Sequence, residues 1–318
     1  MAMRIATIDL GTNSVLLLVT EWSYGQVTPL VERATVTKLG EGIDRTGQIS
    51  EEAAERALTC LSAYKREIGS LGVQHVIISG TSAVRDASNA DAFLKRVEQL
   101  FGIRPLVLSG QQEAELTFLG ALQDIPLRGA VVVVDIGGGS TEVVLGQWDG
   151  ETPTIQQSVS VNIGSVRLTE RHLTTDPPTL QERALVQQDT VKALAEIRSW
   201  ATGAPVVAVA GTATTLAAVA GNLEAADRAR VHNFSLSRHE LGRVVSQLTL
   251  LPCAERAKVA GVLPARAGVI VAGGLILEAV MDLLATSHLV ISDRGLRWGI
   301  ARWKWNALSS GRVGLPGP

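Results

Sequence analysis

The chain has 318 residues, 46% apolar and 19% charged, with 29 Lys and Arg against 31 Asp and Glu for a formal charge of −2. At about 150 residues per domain the length allows two cores, and the apolar share excludes a disordered chain. The even charge balance excludes a generally basic nucleic-acid coat, so a polyanionic partner has to be held by local geometry.

Residues 5–8 and 15–20 read as strands flanking a Gly-Thr-Asn-Ser turn, a hairpin, with a third strand near 31–37. One basic residue and Asp9 cut the first apolar stretch short, so it reads as a strand and not a signal peptide. No window reaches the ~18 apolar residues of a membrane span, and a cytoplasmic protein is expected. After a capping Ser50, Ala54, Leu58, Leu61 and Ile68 recur at helical spacing and predict an amphipathic helix. Strand 73–79, helix 91–101, strand 105–108 and helix 111–122 follow, the rhythm of a sheet covered by helices. Residues 126–129 are the expected domain boundary, because a new strand-turn-strand, 130–135 and 141–147, begins there. Helices at 165–172 and 180–200, a strand at 205–210 running through Gly211-Thr212 into a helix, helices at 238–250 and 266–284, and a strand at 289–292 complete the second half. In the tail Trp298, Trp303 and Trp305 interleave with Arg297, Arg302 and Lys304; a helix packing its tryptophans on a domain is favoured over nucleic-acid stacking. Residues 313–318 are expected to fray.

The start of the chain recurs. Ile8-Asp9-Leu10-Gly11-Thr12-Asn13-Ser14 is echoed by Val134-Asp135-Ile136-Gly137-Gly138-Gly139-Ser140-Thr141, Asp9 and Asp135 lying 126 residues apart. Glycine lets the backbone approach a ligand so that successive N–H groups face phosphate oxygens, and the strand-end Asp can hold a cation directly or through water. Two plain hairpins needing glycine are the alternative. Repetition of Asp, Gly and Ser at equivalent places, each opening a domain, favours a ligand-binding pair.

Other candidates are weaker alone. Gly211-Thr212 places amides and a hydroxyl at a helix start, a natural anion site, whereas Gly273 and Gly274 sit inside a helical pattern and suit close packing. Glu113, in a first helical turn, reads as a capping acid stabilised by the helix dipole. Glu142 lies seven residues after Asp135 and can point back to the same pocket. Arg85 either forks onto phosphate or pairs with Asp86. Cys60 and Cys253 have no metal-ligand spacing, and His75, His172, His232, His239 and His288 show no pairing spacing.

With these motifs in hand, the sequence resembles the exopolyphosphatase/guanosine pentaphosphate phosphatase (Ppx/GppA) family of the actin-like ATPase superfamily. The markers are Ile8 to Ser14, Gly80-Thr-Ser-Ala-Val-Arg85, Leu108-Ser-Gly-Gln-Gln-Glu-Ala114, Val134 to Glu142, Gly164-Ser-Val-Arg-Leu-Thr-Glu170, Ala210-Gly-Thr212 and Ser292-Asp-Arg-Gly-Leu-Arg297, in the family's order. The resemblance implies an α/β fold of two ribonuclease-H-like domains, 1–127 and 128–297, with a final helix at about 298–312 packing back on the first and the active site in the interdomain cleft. It implies Glu113 as the catalytic base that deprotonates water, and Asp135 and Glu142 as holders of Mg²⁺ or Mn²⁺. The phosphate-binding set is Gly11, Thr12, Asn13, Ser14, Arg85, Gly137, Gly138, Gly139, Ser140, Thr141, Gly211 and Thr212. A homodimer is expected on the same ground.

Two departures matter. The family's segment usually reads Ser-Gly-x-Glu-Glu-Ala, and Gln112 replaces the first Glu here. Longer relatives' additional carboxy-terminal helical domains, one of them HD-like, do not follow, which points to short polyphosphate chains. The expectation is an exopolyphosphatase releasing orthophosphate from polyphosphate ends, with a pppGpp 5′-phosphohydrolase as the alternative and an actin-fold kinase or a phosphate or nucleotide sensor as remoter ones.

Overall fold

The computed structural model describes residues 2–201, 203–224 and 230–310, so the expected fraying of 313–318 lies outside the described residues. The chain divides into two compact units, one drawn from Met1–Gly120 and Leu296–Pro318, the other from Ala121–Gly295.

In the first unit β1 (Met3–Leu10) pairs antiparallel with β2 (Ser14–Ser23), and β2 with β3 (Gln26–Val36). The chain continues through α1 (Ile43–Thr46) and α2 (Glu51–Ser70) to β4 (His75–Gly80), which runs parallel to β1. Helices α3 (Ser82–Asp86) and α4 (Ala90–Phe101), the short β5 (Leu106–Val107) and α5 (Gly110–Ala121) follow, and the sheet order is β3-β2-β1-β4-β5. β1 is buried on both faces, as expected of a central strand covered by helices. Ala6, Ile8 and Leu10 join one core with the Ala53, Ala57, Leu61 stripe of α2, while Ile5 joins another with Leu18 and Trp22. Ser50 caps α2 by accepting from the Ala53 amide, as its sequence signature predicts.

The second unit repeats the plan with β6 (Gly129–Ile136), β7 (Thr141–Trp148), β8 (Pro153–Val161), α6 (Ser165–His172), α7 (Leu180–Ala193), β9 (Val206–Val209) and α8 (Ala210–Ala220). It continues with β10 (Phe234–Ser237), α9 (Arg238–Leu250), α10 (Cys253–Arg256), α11 (Ile270–Leu283) and β11 (His288–Ile291), in sheet order β10-β11-β9-β6-β7-β8. Three antiparallel strands followed by parallel ones give each unit the ribonuclease-H-like plan, the second adding β10 as an antiparallel edge strand on β11, so the α/β class and the actin-like topology stand. α11 buries every residue but Asp282 and anchors this core.

Some expectations need correcting. The helix expected over 180–200 is α-helical only through Ala193 and then winds into a 3₁₀ helix, Ala195–Trp200. That expected over 266–284 begins at Ile270, because Pro264–Arg266 forms a 3₁₀ turn and Gly268 intervenes before the apolar run starts. Two strands, Pro153–Val161 and Phe234–Ser237, are not among the expected elements.

The chain closes with α12 (Leu296–Ser310), which packs into the first unit. Trp298 is 2% exposed, Trp305 stacks on Trp22 with ring centroids 5.2 Å apart, and the Arg302 guanidinium lies over Trp22. Glycine is required at 299, where a Cβ would enter the Leu116 carbonyl of α5. The tail tryptophans are therefore packing residues. No described helix is long and apolar enough to cross a membrane.

Candidate active site

The two glycine turns have the same geometry. Asp9 faces Leu16 across β1 and β2, and Asp135 faces Glu142 across β6 and β7, so the register repeats with the 126-residue shift. Gly11 donates its amide to the Ser14 carbonyl at 3.2 Å, and Gly137 does the same to Ser140 at 3.0 Å. A Cβ would lie 2.9 Å from the Ser14 oxygen at Gly11 and 3.2 Å from the Ser140 oxygen at Gly137, which accounts for glycine at both.

Each turn is gripped from behind through its carbonyls. Thr12 and Asn13 accept from the amides of Gly40, Thr37 and Lys38. Gly137 and Gly138 accept from those of Ser165, Val166 and Arg167, and Gly139 accepts from Arg167 Nε at 2.9 Å. The supporting glycines are matched as well: a Cβ at Gly40 would strike the Thr12 side chain, and one at Gly164 would strike the Gly138 carbonyl and the Gly139 amide. With their carbonyls used, the amides of Thr12, Asn13, Gly138 and Gly139 donate no hydrogen bond among the described residues. Asn13 Nδ2 and Ser14 Oγ are likewise buried without a partner. An unmet buried donor costs about 1–3 kcal/mol, so this collection of donors is suited to an anion.

Gly211-Thr212, expected at an anion site, has a counterpart in the first unit that its spacing does not reveal. Thr81, at the end of β4, directs its hydroxyl to the Leu10 carbonyl at 3.5 Å, and Thr212, in the first turn of α8, directs its own to the Ile136 carbonyl at 3.3 Å. Leu10 and Ile136 are equivalent in the repeat, so Gly80-Thr81 matches Gly211-Thr212. Gly211 leaves space for the Arg266 guanidinium, which a Cβ would displace, placing a cation at this helix start that spacing did not reveal. Gly273 performs a related service by letting α11 approach Thr212, as close packing predicts. Thr141 differs from expectation: it is fully buried and its hydroxyl proton goes to the Ile163 carbonyl at 2.6 Å, so it braces the turn and has no donor left for phosphate.

Asp135 and Glu142 occupy directly opposed positions on adjacent antiparallel strands, where side chains share one face with Cβ atoms ~5 Å apart. They are 9% and 2% exposed, and Glu142 Oε1 accepts from Ser160 Oγ at 2.8 Å. Like charges so placed repel, which a cation between them relieves. Among the described residues no group of three or more His, Cys, Asp or Glu is arranged to hold a metal. A cation here would take two carboxylates and complete its shell with water and phosphate oxygens, the usual habit of Mg²⁺.

In the first unit α5 sets Glu113. Ser109 and Gln112 form a reciprocal cap, Ser109 Oγ accepting from the Gln112 amide at 3.2 Å and Gln112 Oε1 accepting from the Ser109 amide at 3.0 Å. Gln112 thus keeps the capping role of a glutamate without its charge. Glu113 is turned inward, 7% exposed, with its Oε2 accepting from Arg85 Nη1 at 2.6 Å. That nitrogen also donates to the Leu108 carbonyl at 2.9 Å. Burial pushes the Glu113 carboxyl above the ordinary range, and the charge and hydrogen bond of Arg85 pull the other way. A carboxylate raised by burial and positioned by a guanidinium has the makings of a general base.

A model of the Ppx/GppA phosphatase family matches residues 18–304. Exopolyphosphatase 2 of Mycobacterium tuberculosis is 36% identical over 94% of this chain and 97% of its own length. Among solved structures, an exopolyphosphatase from Cytophaga hutchinsonii superposes with a TM-score of 0.89 at 29% identity, covering 99% of this chain and 100% of that one. The Aquifex aeolicus member of the Ppx/GppA family superposes with a TM-score of 0.80 at 32% identity, over 99% of this chain and 100% of that one.

Proposed function

Because the chain belongs to the Ppx/GppA phosphatase family and is thus a phosphoanhydride hydrolase, we propose that it removes terminal orthophosphate from short inorganic polyphosphates. The observation that carries this reading is the repeated turn with unmet amides, together with the buried donors of Asn13 and Ser14. Such donors recognise phosphate oxygens.

The roles divide by chemistry. Thr12 to Ser14 and Gly138 to Ser140 bind phosphate through amides and side-chain donors, assisted at Gly211-Thr212 by the start of α8, while Gly11 and Gly137, expected in the same set, have their amides committed to the Ser14 and Ser140 carbonyls and instead close the two turns. Asp135 and Glu142 are suited to Mg²⁺ or Mn²⁺, which when bound supplies positive charge to the transferring phosphoryl group. Glu113 takes the proton from the attacking water at a carboxylate oxygen, and Arg85 fixes that carboxylate while adding positive charge beside it. Assembly as a homodimer is part of the same reading, to be checked by light scattering.

The deciding assay is orthophosphate release from polyphosphates of defined length, from pppGpp and from ATP, with and without Mg²⁺. Metal-dependent release from the short polyphosphates is expected to dominate. Release from pppGpp alone would replace the substrate assignment, and no release from any of them would overturn the enzymatic reading.

A further inference from the structure

The second unit holds a recess that none of these roles uses. It opens where the start of α9, the middle of α11 and the start of β11 meet, has a volume of about 720 Å³, and is lined by Ser237, Arg238, His239, Arg243, Glu278 and His288 among others. That is the size of a small-molecule site, and an orthophosphate ion would leave most of it empty. It is remote from the glycine turns. His288 opens β11, and the pairing of Val290 with Val207 sets it level with Pro205, four residues short of Val209; at ~3.3 Å per residue that is roughly 13 Å along the sheet.

The floor is the informative part. Glu278 is 9% exposed within the otherwise apolar stretch of α11. Its Oε1 accepts from Arg238 Nη1 at 2.8 Å, while Arg238 Nε and Nη2 donate to Asp282 at 2.8 and 3.1 Å. Burial pushes the Glu278 carboxyl up and Arg238 opposes this. The pair is only half-buried, the Arg238 side chain being 33% and that of Glu278 11% exposed, and an ion pair of this kind adds little net stability. Gly242 stands above the pair. A helix-interior glycine costs about 1 kcal/mol against alanine, and here a Cβ would lie 3.2 Å from Arg238 Nη1 and 3.4 Å from Glu278 Oε1. The bare backbone leaves the pair open to the recess. Around the rim are Arg243, His239 and His288. The neighbouring acid, Glu240, is committed to the α9 cap, accepting from the Ser237 amide at 2.9 Å and its hydroxyl at 2.6 Å.

We propose that this recess binds a small phosphorylated metabolite of mononucleotide size. Its phosphate lies on Arg243 with His239 and His288, and its hydroxyl or amino donors lie on the Glu278 carboxylate. The site is separate from the phosphate turns.

Calorimetric titration of the full chain with AMP, GMP and ribose 5-phosphate tests this, with orthophosphate and adenosine as controls. At least one phosphorylated ligand is expected to bind, with orthophosphate and adenosine each weaker by about tenfold or more. Gly242→Leu, which fills the floor on a position where glycine is a poor helix former, and Arg243→Ala, on an exposed position, should each weaken that binding about tenfold, a loss of ~1.4 kcal/mol. Asp135→Asn should leave it unchanged. The proposal is overturned if no phosphorylated ligand binds, if either control binds as well, if binding survives both variants, or if Asp135→Asn abolishes it and thereby places the ligand at the glycine turns.

Discussion

Glu113→Gln separates proton transfer from everything else that this side chain does. Glutamine keeps an oxygen to accept from Arg85 Nη1, and Arg85 retains the Leu108 carbonyl as its second acceptor. The change also removes a buried charge that its surroundings disfavour, so unfolding free energy should move by no more than about 2 kcal/mol. Turnover should fall by the roughly 10²–10⁴-fold expected of a lost general base, which at 1.36 kcal/mol per decade is about 3–5 kcal/mol of barrier. The assay is orthophosphate release at saturating polyphosphate, with substrate affinity measured separately by titration. A pH profile adds a second test. A base must be deprotonated to act, so the acid limb of the wild-type profile should lie above the ordinary carboxylate range, where burial puts Glu113. Arg85 opposes that shift, so Arg85→Met should move the limb to still higher pH. Turnover within threefold of wild type in Glu113→Gln, or an acid limb that does not move in Arg85→Met, would refute the assignment.

Asp135→Asn and Glu142→Gln should each raise the Mg²⁺ concentration needed for half-maximal activity by about tenfold or more; an unchanged metal titration would remove the pair from that role. Gly164→Ala puts a methyl group into the Gly138 carbonyl and the Gly139 amide, backbone atoms that have little freedom to yield, and should destabilise by about 1–3 kcal/mol, read as a lowered Tm; an unaltered Tm would contradict the packing. Burial raises the Glu278 carboxyl in the folded state, so the folded chain holds that proton more tightly than the unfolded one. The stability it contributes is fully present below its unfolded pKa and is lost as pH rises through the folded value. Glu278→Gln should flatten that slope in denaturation curves taken across acid pH, and a wild-type slope would count against it.

Much of the fold was legible because it is local. Alternation of apolar runs with capped helical stripes located β1, α2, β6 and β7, and the repeated Asp-Gly-Ser pattern located two turns whose register proves equivalent. The strand Phe234–Ser237 was not legible: it is four residues long, half serine, and defined by antiparallel pairing with β11 more than fifty residues later. The break after Ala193 carries no glycine or proline to announce it. At the site, spacing could not show that Arg85 reaches Glu113, since 28 residues separate them and contact depends on how α3 and α5 meet. The equivalence of Thr81 and Thr212 was hidden because the intervening segments differ in length, leaving only a Gly-Thr pair at a strand end to recognise.

The first unit is discontinuous. Thr7 bonds to the Arg297 carbonyl across 290 residues, and Arg297 bonds back to the Leu17 carbonyl across 280. During synthesis the second unit has all its strands before the first has its last helix, so the earlier-made half of the chain finishes folding later. Until α12 arrives, Trp22 and Ile5 lack the cover that they have in the finished protein, and exposed apolar surface of this kind invites aggregation. That surface is covered only when residues at the far end of the sequence have been made.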